Sequence, residues 1–232
     1  MTSRVTRSRL PSPRRSLLRT AATALLAPLL AGSLVLLGPP AQAEDYSAPL
    51  SQAVTDLPVA TEVRTGYDRG LFQHWVDADG DGCDTRREVL VAEADDPVTV
   101  GSGCSLSGGR WFSYYDRVSW TDPADLDIDH LVPLAEAWDS GARSWTTSVR
   151  QSFANDLGDG RSLVAVTDDV NQAKGDQDPT TWQPTYDRCR YVREWVAVKL
   201  RWRLSVDTAE KQTLRDVAGG CSDVTVTVTR AR

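Results

Sequence analysis

Residues 127–134 read Asp-Ile-Asp-His-Leu-Val-Pro-Leu, and this stretch decides our interpretation of the fold. Its alternation of polar and apolar residues predicts a strand that ends at His130, with Pro133 opening a turn. Along an extended strand Asp127 and Asp129 point to one face, and His130 points to the other. A bend is therefore needed for Asp129 and His130 to act on one substrate, and the strand end provides it.

A second informative stretch follows further along the chain. Residues 161–166 read RSLVAV and predict a buried strand. The residues after it predict the start of a helix with Asp168 or Asp169 as its N-cap. This helix carries Asn171 and Lys174. Taken alone, an asparagine there is more often a helix cap and a lysine a solvated charge, so their significance depends on the first stretch.

The two stretches together suit hydrolysis of a phosphodiester. That reaction needs an activated water, neutralisation of the charge on the phosphate, and stabilisation of the leaving oxygen. A histidine with a pKa of about 6.5 accepts the proton of the water, and a hard divalent cation bound by carboxylate and amide oxygens does the rest. The pattern assigns His130 as general base, with Asp129 and Asn171 around the cation. The other histidine, His74, is interpreted as a packing residue.

The motifs DIDHLVPLAEAW (127–138) and SLVAVTDDVNQAKGD (162–176), followed by Trp182, resemble the strand, strand, helix and metal arrangement of HNH endonucleases. They are most similar to secreted bacterial proteins that share a domain with the C-terminal part of the GmrSD restriction enzymes. This resemblance implies a ββα-metal core of the HNH or His-Me finger type. We expect that core within a single, mostly helical α+β domain that holds two disulfides.

The resemblance also implies the role of each site residue. His130 matches the general base, Asp129 the metal carboxylate and Asn171 the second metal position. Lys174 matches a basic residue that contacts substrate phosphate, and it stands where the founding pattern has a further histidine. The expected protein is an HNH endonuclease, a hydrolase of phosphodiester bonds in DNA or RNA. It would use Mg²⁺ or Mn²⁺ and act as a monomer with nucleic acid as its partner.

The first 43 residues predict a secretory signal peptide. They contain six arginines, then an apolar stretch, then small residues that fit cleavage after Ala43. The pair Arg14 and Arg15 also fits a twin-arginine export signal, so the Sec and Tat routes both stay open. A membrane anchor at residues 20–37 is the alternative, but helix-breaking residues interrupt that stretch. We expect a secreted, extracellular protein with no membrane segment.

The mature part is expected to be one domain, residues 44–232, with its nuclease core at about residues 106–204. Loss of the signal removes six arginines and no acidic residue, so the formal net charge changes from −6 to −12. An acidic surface repels a polyanion and argues against broad binding of nucleic acid. A bound divalent cation and a local basic cluster can override that sign at one cleft.

Four cysteines lie in the mature part, and export to an oxidising compartment favours their pairing. Three connectivities are possible. We prefer the sequential one, Cys83 with Cys104 and Cys189 with Cys221, because each pair brackets a local segment. The chain has no C-x-x-C motif and two histidines, which excludes a structural zinc site.

An acidic loop gives a second, independent signal. Asp77, Asp79 and Asp81, with Gly82 at position six and Glu88 at position twelve, fit a calcium-binding loop. A structural Ca²⁺ would then be held by the three aspartates and Glu88. The alternative is a turn in which the aspartates accept hydrogen bonds from backbone amides.

The remaining elements are expected as follows. Residues 44–63 predict a lead-in with one short helix, and residues 89–92 (VLVA) a strand or the start of a helix. The Gly- and Ser-rich residues 101–115 predict a turn that leads into a strand. Residues 191–204 have the spacing of a helix that packs on the core, and residues 221–232 alternate like a terminal strand.

Two rival functions remain open. The first is a calcium-stabilised extracellular binding module without catalysis, centred on residues 77–88. It predicts folding that depends on calcium and no cleavage with any metal. The second is a metal-dependent hydrolase of another phosphoester, which would cleave small esters and leave DNA intact.

Overall fold

A computed structural model describes residues 45–231 of the protein. The expected signal peptide and its cleavage after Ala43 lie outside the described residues. In chain order the strands and helices are β1 (Asp45–Pro49), α1 (Leu50–Asp56), α2 (Thr85–Glu93), β2 (Asp96–Val100), β3 (Leu106–Ser113), β4 (Val118–Trp120), β5 (Leu126–His130), α3 (Leu134–Asp139), α4 (Thr147–Ala154), β6 (Leu163–Thr167), α5 (Asp168–Lys174), α6 (Arg188–Arg201), α7 (Thr208–Gly219) and β7 (Thr225–Thr229).

The strands of the described residues form three small antiparallel sheets. β2, β3 and β4 make a meander, while β1 pairs with β7 and β5 pairs with β6. The β1–β7 pair joins the two ends of the described chain, with Asp45 opposite Thr229. Helices occupy more residues than strands do in this part of the chain. The expected α+β class is confirmed.

The β5–β6 pair is covered on both faces. In β6, Val164 and Val166 face the main apolar core, whereas Leu163 and Ala165 face a smaller core that includes Trp111 of β3. This double burial explains why β6 is a continuous apolar run, since a strand with one face in water would alternate with polar residues. The sheet that carries His130 is therefore rigidly held.

α6 forms the centre of the main core. Its residues Tyr191, Trp195 and Val198 are at most 1 % exposed and contact the cluster that α1, α3, α4 and α7 complete. Full burial of aromatic side chains of this size contributes about 1.5–3 kcal/mol each. The sequence places this helix at residues 191–204, and the structure shifts it to Arg188–Arg201.

Both expected disulfides are present. Cys83 bonds Cys104, with Cα atoms 5.1 Å apart, and Cys189 bonds Cys221, with Cα atoms 5.6 Å apart. The first links the loop before α2 to the segment before β3, and the second links the start of α6 to the segment after α7. The sequential connectivity is confirmed.

One local expectation is wrong. Neither Asp168 nor Asp169 is the N-cap of α5, because Thr167 takes that position and both aspartates lie in the first helical turn. The reason is that β6 runs into α5 without a loop, so the last strand residue is also the cap. The two carboxylates still favour the helix, since negative charge at its N-terminus complements the helix dipole.

Within residues 45–231, none of the helices combines the length and the hydropathy that a membrane-spanning segment requires.

Candidate active site

The four residues selected from the sequence lie on one strand–strand–helix unit. β5 carries Asp129 and His130 at its C-terminal end, and β6 runs antiparallel to it with Leu163 opposite His130. α5 follows β6 directly and contacts both strands. Asn171 and Lys174, one helical turn apart on α5, therefore share the helix face that lies against β5.

His130 is almost fully buried, with 6 % of its surface exposed. Its Nε2 lies 2.9 Å from the carbonyl oxygen of Ala154, the last residue of α4. A carbonyl can only accept, so this contact assigns the proton to Nε2 and leaves Nδ1 as the acceptor of the neutral ring. Burial lowers the pKa of His130 to about 3, so the ring is neutral at physiological pH. Nδ1 therefore carries an unprotonated lone pair, while the same burial disfavours the charged imidazolium.

Two aromatic rings pack against His130. They belong to His74 and Trp75, which precede α2 in the sequence. The Trp75 ring lies 5.4 Å from the His130 ring, at 31° between the planes, and the His74 ring meets it edge-on at 6.3 Å. Nδ1 of His74 lies 2.9 Å from the carbonyl oxygen of Phe72, which fixes that ring in turn. Trp75 has a φ of 58°, in the left-handed region that side chains of this kind seldom adopt. This left-handed conformation of Trp75 occurs next to the contact between His74 and His130.

Asp129 is buried in an ion pair. Its Oδ1 lies 2.8 Å from Nζ of Lys174, and its Oδ2 accepts a hydrogen bond of 2.6 Å from the Tyr115 hydroxyl. Lys174 also donates to the carbonyl oxygen of His130 at 3.2 Å. Burial raises the pKa of Asp129 and lowers that of Lys174, and the attraction between the two opposes both shifts. The pair ties α5 to the end of β5.

The structure places Lys174 differently from the sequence interpretation. We expected it to contact substrate phosphate, but its side chain is 0 % exposed and its ammonium lies beneath the cleft. The physical reason is the partner: a buried carboxylate needs a nearby cation, and Asp129 takes this one. Lys174 therefore contacts Asp129 and does not line the cleft.

Asn171 lies beside a third acidic group. Its Nδ2 donates to Oδ2 of Asp127 at 3.2 Å. The amide nitrogen is used in this bond, so the carbonyl oxygen of Asn171 is the atom left to bind a cation. Asp127 shares a strand face with Asp129, as the alternation of β5 requires. Three oxygen-bearing side chains thus meet at the junction of β5 and α5.

A cleft of about 310 Å³ opens over this junction. Asp129, His130 and Asn171 all border it, and Tyr67 and Arg69 line it as well. The remaining lining residues are Ile128, Pro133, Leu134, Ala135, Gln172, Gly175 and Asp176. A proton acceptor and oxygen ligands therefore share one solvent-connected space.

The donors at this cleft fit a hard divalent cation. Asp129 offers a carboxylate and Asn171 an amide oxygen, which are the ligand types that Mg²⁺ and Mn²⁺ prefer. A carboxylate has about four lone-pair positions, and Tyr115 and Lys174 use two of those on Asp129. All four cysteines are in disulfides, so no thiolate is available to favour a softer metal.

The acidic loop forms a cluster of its own. Carboxylate oxygens of Asp77, Asp79 and Asp81 lie within 4.8 Å of one another, and all three residues are exposed. Asp77 accepts hydrogen bonds from two glycine amides at 2.8 and 3.0 Å, and Asp81 accepts one from Cys83 at 2.7 Å. Burial and the neighbouring carboxylates raise the pKa of Glu88. These are the backbone-to-aspartate hydrogen bonds expected of a turn. Calcium binding by the loop stays a prediction.

Three contributors to the site have no signal in the local sequence. Tyr115 comes from the turn after β3, Ala154 offers only a backbone carbonyl, and Arg69 belongs to a short 3₁₀ turn far from β5. Only the tertiary fold brings these segments to the end of β5. Asp127, in contrast, could have been found, because it stands two residues before Asp129 on the same strand face.

Comparison with known proteins identifies the family of the chain. Residues 102–217 match the family of GmrSD restriction endonucleases, C-terminal domain, and the chain belongs to that family. The resemblance inferred from the sequence is thereby confirmed, and the protein is placed in a family of nucleases. An "Uncharacterized secreted protein" of Arthroderma benhamiae (strain ATCC MYA-4681 / CBS 112371) is 50 % identical over 158 residues, which cover 67 % of this chain and 76 % of the relative. No solved structure matches the chain.

Proposed function

We propose that the protein is a secreted, metal-dependent endonuclease of the HNH type that hydrolyses phosphodiester bonds of DNA or RNA. The observation that carries the proposal is the hydrogen bond between His130 Nε2 and the Ala154 carbonyl. It fixes the ring as the tautomer whose Nδ1 accepts a proton, at the edge of a cleft that Asp129 and Asn171 also line. Membership in a nuclease family supports the same reaction.

The division of labour follows from these contacts. His130 takes the proton from the attacking water, and the rings of Trp75 and His74 keep the imidazole from turning away. Lys174 compensates the charge of Asp129 and holds its carboxylate in place through the ion pair. Each of these tasks is a matter of orientation, which is most effective when the groups are fixed before substrate arrives.

A divalent ion, Mg²⁺ or Mn²⁺, would be held by Asp129 and Asn171. When bound, it would neutralise the negative charge that builds on the phosphate as the bond breaks. The two residues are tied to different elements, β5 and α5, and the ion pair between Asp129 and Lys174 fixes their relative position. The site is thus organised by the protein itself.

The proposed setting is outside the cell. Two disulfides suit an oxidising compartment, and the relative from Arthroderma benhamiae bears the name of a secreted protein. Residues 1–43 would be removed on export, and residues 44–232 would act as a monomeric domain.

Cleavage of supercoiled plasmid tests the proposal. The purified protein is incubated with Mg²⁺, Mn²⁺ or EDTA, next to the variants His130→Ala and His74→Ala. We expect metal-dependent nicking that His130→Ala reduces at least about 100-fold, because a general base contributes roughly that factor or more. His74→Ala, which changes the other histidine of the same aromatic cluster, should cause a clearly smaller loss.

Circular dichroism and thermal unfolding establish that both variants are folded. A folded His130→Ala variant that cleaves at the parental rate would overturn the assignment of the base. Hydrolysis of small phosphoesters with intact plasmid would instead indicate another substrate.

A second candidate, a calcium-stabilised extracellular binding module, is favoured by the cluster of Asp77, Asp79 and Asp81. It predicts that Ca²⁺ raises the melting temperature and that no metal supports cleavage. Asp79→Asn and Glu88→Gln should then abolish the effect of calcium. A melting temperature that is independent of Ca²⁺ would remove this candidate.

A further inference from the structure

Among the described residues, Arg69 is the one arginine or lysine that lines the cleft. Lys174 is fully buried against Asp129. Arg64, nearby in sequence, forms ion pairs with Asp139 at 2.7 Å and with Asp176 at 2.5 Å. Arg69 is exposed and borders the cleft, and within residues 45–231 it joins no ion pair.

The backbone of Arg69 is fixed even though its side chain is exposed. Asp68 caps the 3₁₀ turn Arg69–Leu71 by accepting a hydrogen bond from Gly70 N at 2.7 Å. Phe72, directly after the turn, is 0 % exposed in the main core and donates its amide to the Arg69 carbonyl at 3.0 Å. The turn is thus anchored at both ends, so the backbone position from which the Arg69 side chain extends is fixed.

The charge of Arg69 acts on the same groups that the proposed reaction uses. Burial is the main cause of the lowered pKa of His130, and the positive charge of Arg69 lowers that pKa further. Its side chain also forms a hydrogen bond with that of Tyr67, which lines the same cleft. Arg69 lines the same cleft as His130, Asp129 and Asn171.

We infer that Arg69 binds the phosphate group of the nucleic acid that enters the cleft, and that it supplies the phosphate contact first expected of Lys174. The inference rests on the proposed nuclease function and deepens it. A guanidinium presents a planar fork of donors that fits two phosphate oxygens at once. An acidic protein gains little from general attraction to a polyanion, so a local cation at the cleft has a large share of the binding.

The role is electrostatic and involves no covalent step. Arg69 keeps its proton throughout, since an arginine stays charged in proteins. Its donors hold the phosphate while His130 accepts the proton of the water. The interaction strengthens as negative charge accumulates on the phosphate oxygens, so its loss should affect kcat as well as KM.

The test compares Arg69→Ala, Arg69→Lys and the control Arg215→Ala. Arg215 is an exposed arginine of α7 and does not border the cleft. Each variant is made in the full chain, expressed with export and purified from the medium. We expect Arg69→Ala to lower kcat/KM for plasmid nicking about 100-fold, as removal of one charge-stabilising donor does elsewhere. Arg69→Lys should fall between the two, and Arg215→Ala should equal the parent.

A binding measurement separates this inference from the nuclease proposal. In the His130→Ala background and in EDTA, fluorescence anisotropy gives the affinity for a labelled DNA duplex over a range of salt. Adding Arg69→Ala should weaken binding and reduce the slope of log K against log salt by about one, the signature of one lost phosphate contact. Adding Arg215→Ala should change neither.

The outcomes are distinct. Parental cleavage by Arg69→Ala, while His130→Ala is inactive, overturns the role of Arg69 and leaves the nuclease intact. Absence of cleavage by the parent with Mg²⁺ and Mn²⁺ overturns the nuclease proposal, and the salt slope then decides on Arg69 alone. A slope that Arg69→Ala does not change, or the absence of any DNA binding, overturns the inference.

Discussion

At the scale of single residues, the buried ion pair between Asp129 and Lys174 joins the interior of the fold to the wall of the cleft. A buried charge is costly without a partner, and these two charges are both withdrawn from solvent at the junction of β5 and α5. The Tyr115 hydroxyl completes the group by donating to the same carboxylate. Stability and the geometry of the cleft therefore depend on the same contacts.

Replacement of Lys174 by methionine should be strongly destabilising. The variant fills the same space but leaves Asp129 buried without its cation, a change that costs about 3–5 kcal/mol in the free energy of unfolding. Urea denaturation followed by circular dichroism measures it. The double variant with Asp129→Asn removes the stranded charge and should recover part of the loss. Equal stability of Lys174→Met and the parent would show that the ion pair contributes nothing.

The sequence predicted part of this site, for identifiable physical reasons. Asp129 and His130 are adjacent in one strand, and Asn171 and Lys174 are one turn apart in one helix, so local periodicity places each pair. The partner of Lys174 could not be predicted, because it depends on how α5 packs against β5. The exposure of Arg69 could not be predicted either, since an arginine in sequence gives no sign of whether an acid will neutralise it.

At the scale of elements, the two disulfides fasten segments that the sheets and helices leave apart. The bond between Cys189 and Cys221, which are 32 positions apart in sequence, joins the start of α6 to the chain after α7. The central helix of the core is therefore held at its N-terminus by a covalent link as well as by packing. Sequence indicated the pairing because each pair brackets a local segment, while the starts and ends of the helices shifted where tertiary packing overrode local preference.

Removal of this disulfide should weaken the fold while leaving the cleft assembled. The double variant Cys189→Ala with Cys221→Ala should lower the free energy of unfolding by about 3–4 kcal/mol, because the unfolded chain regains the entropy of an open loop. Chemical denaturation measures the loss, and plasmid nicking below the unfolding transition should stay near the parental rate. A cost as small as that of a surface substitution would show that packing alone holds α6.

At the scale of the whole molecule, partly buried carboxyl groups make stability depend on pH. Burial raises the pKa of Glu93 and of Glu62 to about 7 each, and repulsion from Glu136 adds to the effect at Glu62. Above their ordinary pKa the unfolded chain has released these protons while the folded protein keeps them. Their contribution is thus fully present below about pH 4.5 and is lost as pH rises through about 7.

The melting temperature should accordingly fall between pH 5 and pH 8. For Glu93, which bonds the amide of Ala165 from beneath β6, we expect a loss of about 2 kcal/mol over this interval. Differential scanning calorimetry at several pH values measures the trend. Glu93→Gln keeps the shape without the titration and should flatten it. A melting temperature that rises across the interval in the parent would contradict the expected sign.

The pairing of β1 with β7 makes the last strand part of both a sheet and the main core. Val226 and Val228 of β7 are each 1 % exposed, and within the described residues β7 is the one strand that pairs with β1. A protease that trimmed the chain before Thr225 would remove a wall of the core and turn β1 into an open edge, ready to join the edge of another molecule. Protein cleaved before Thr225 should therefore aggregate and precipitate rather than remain in solution.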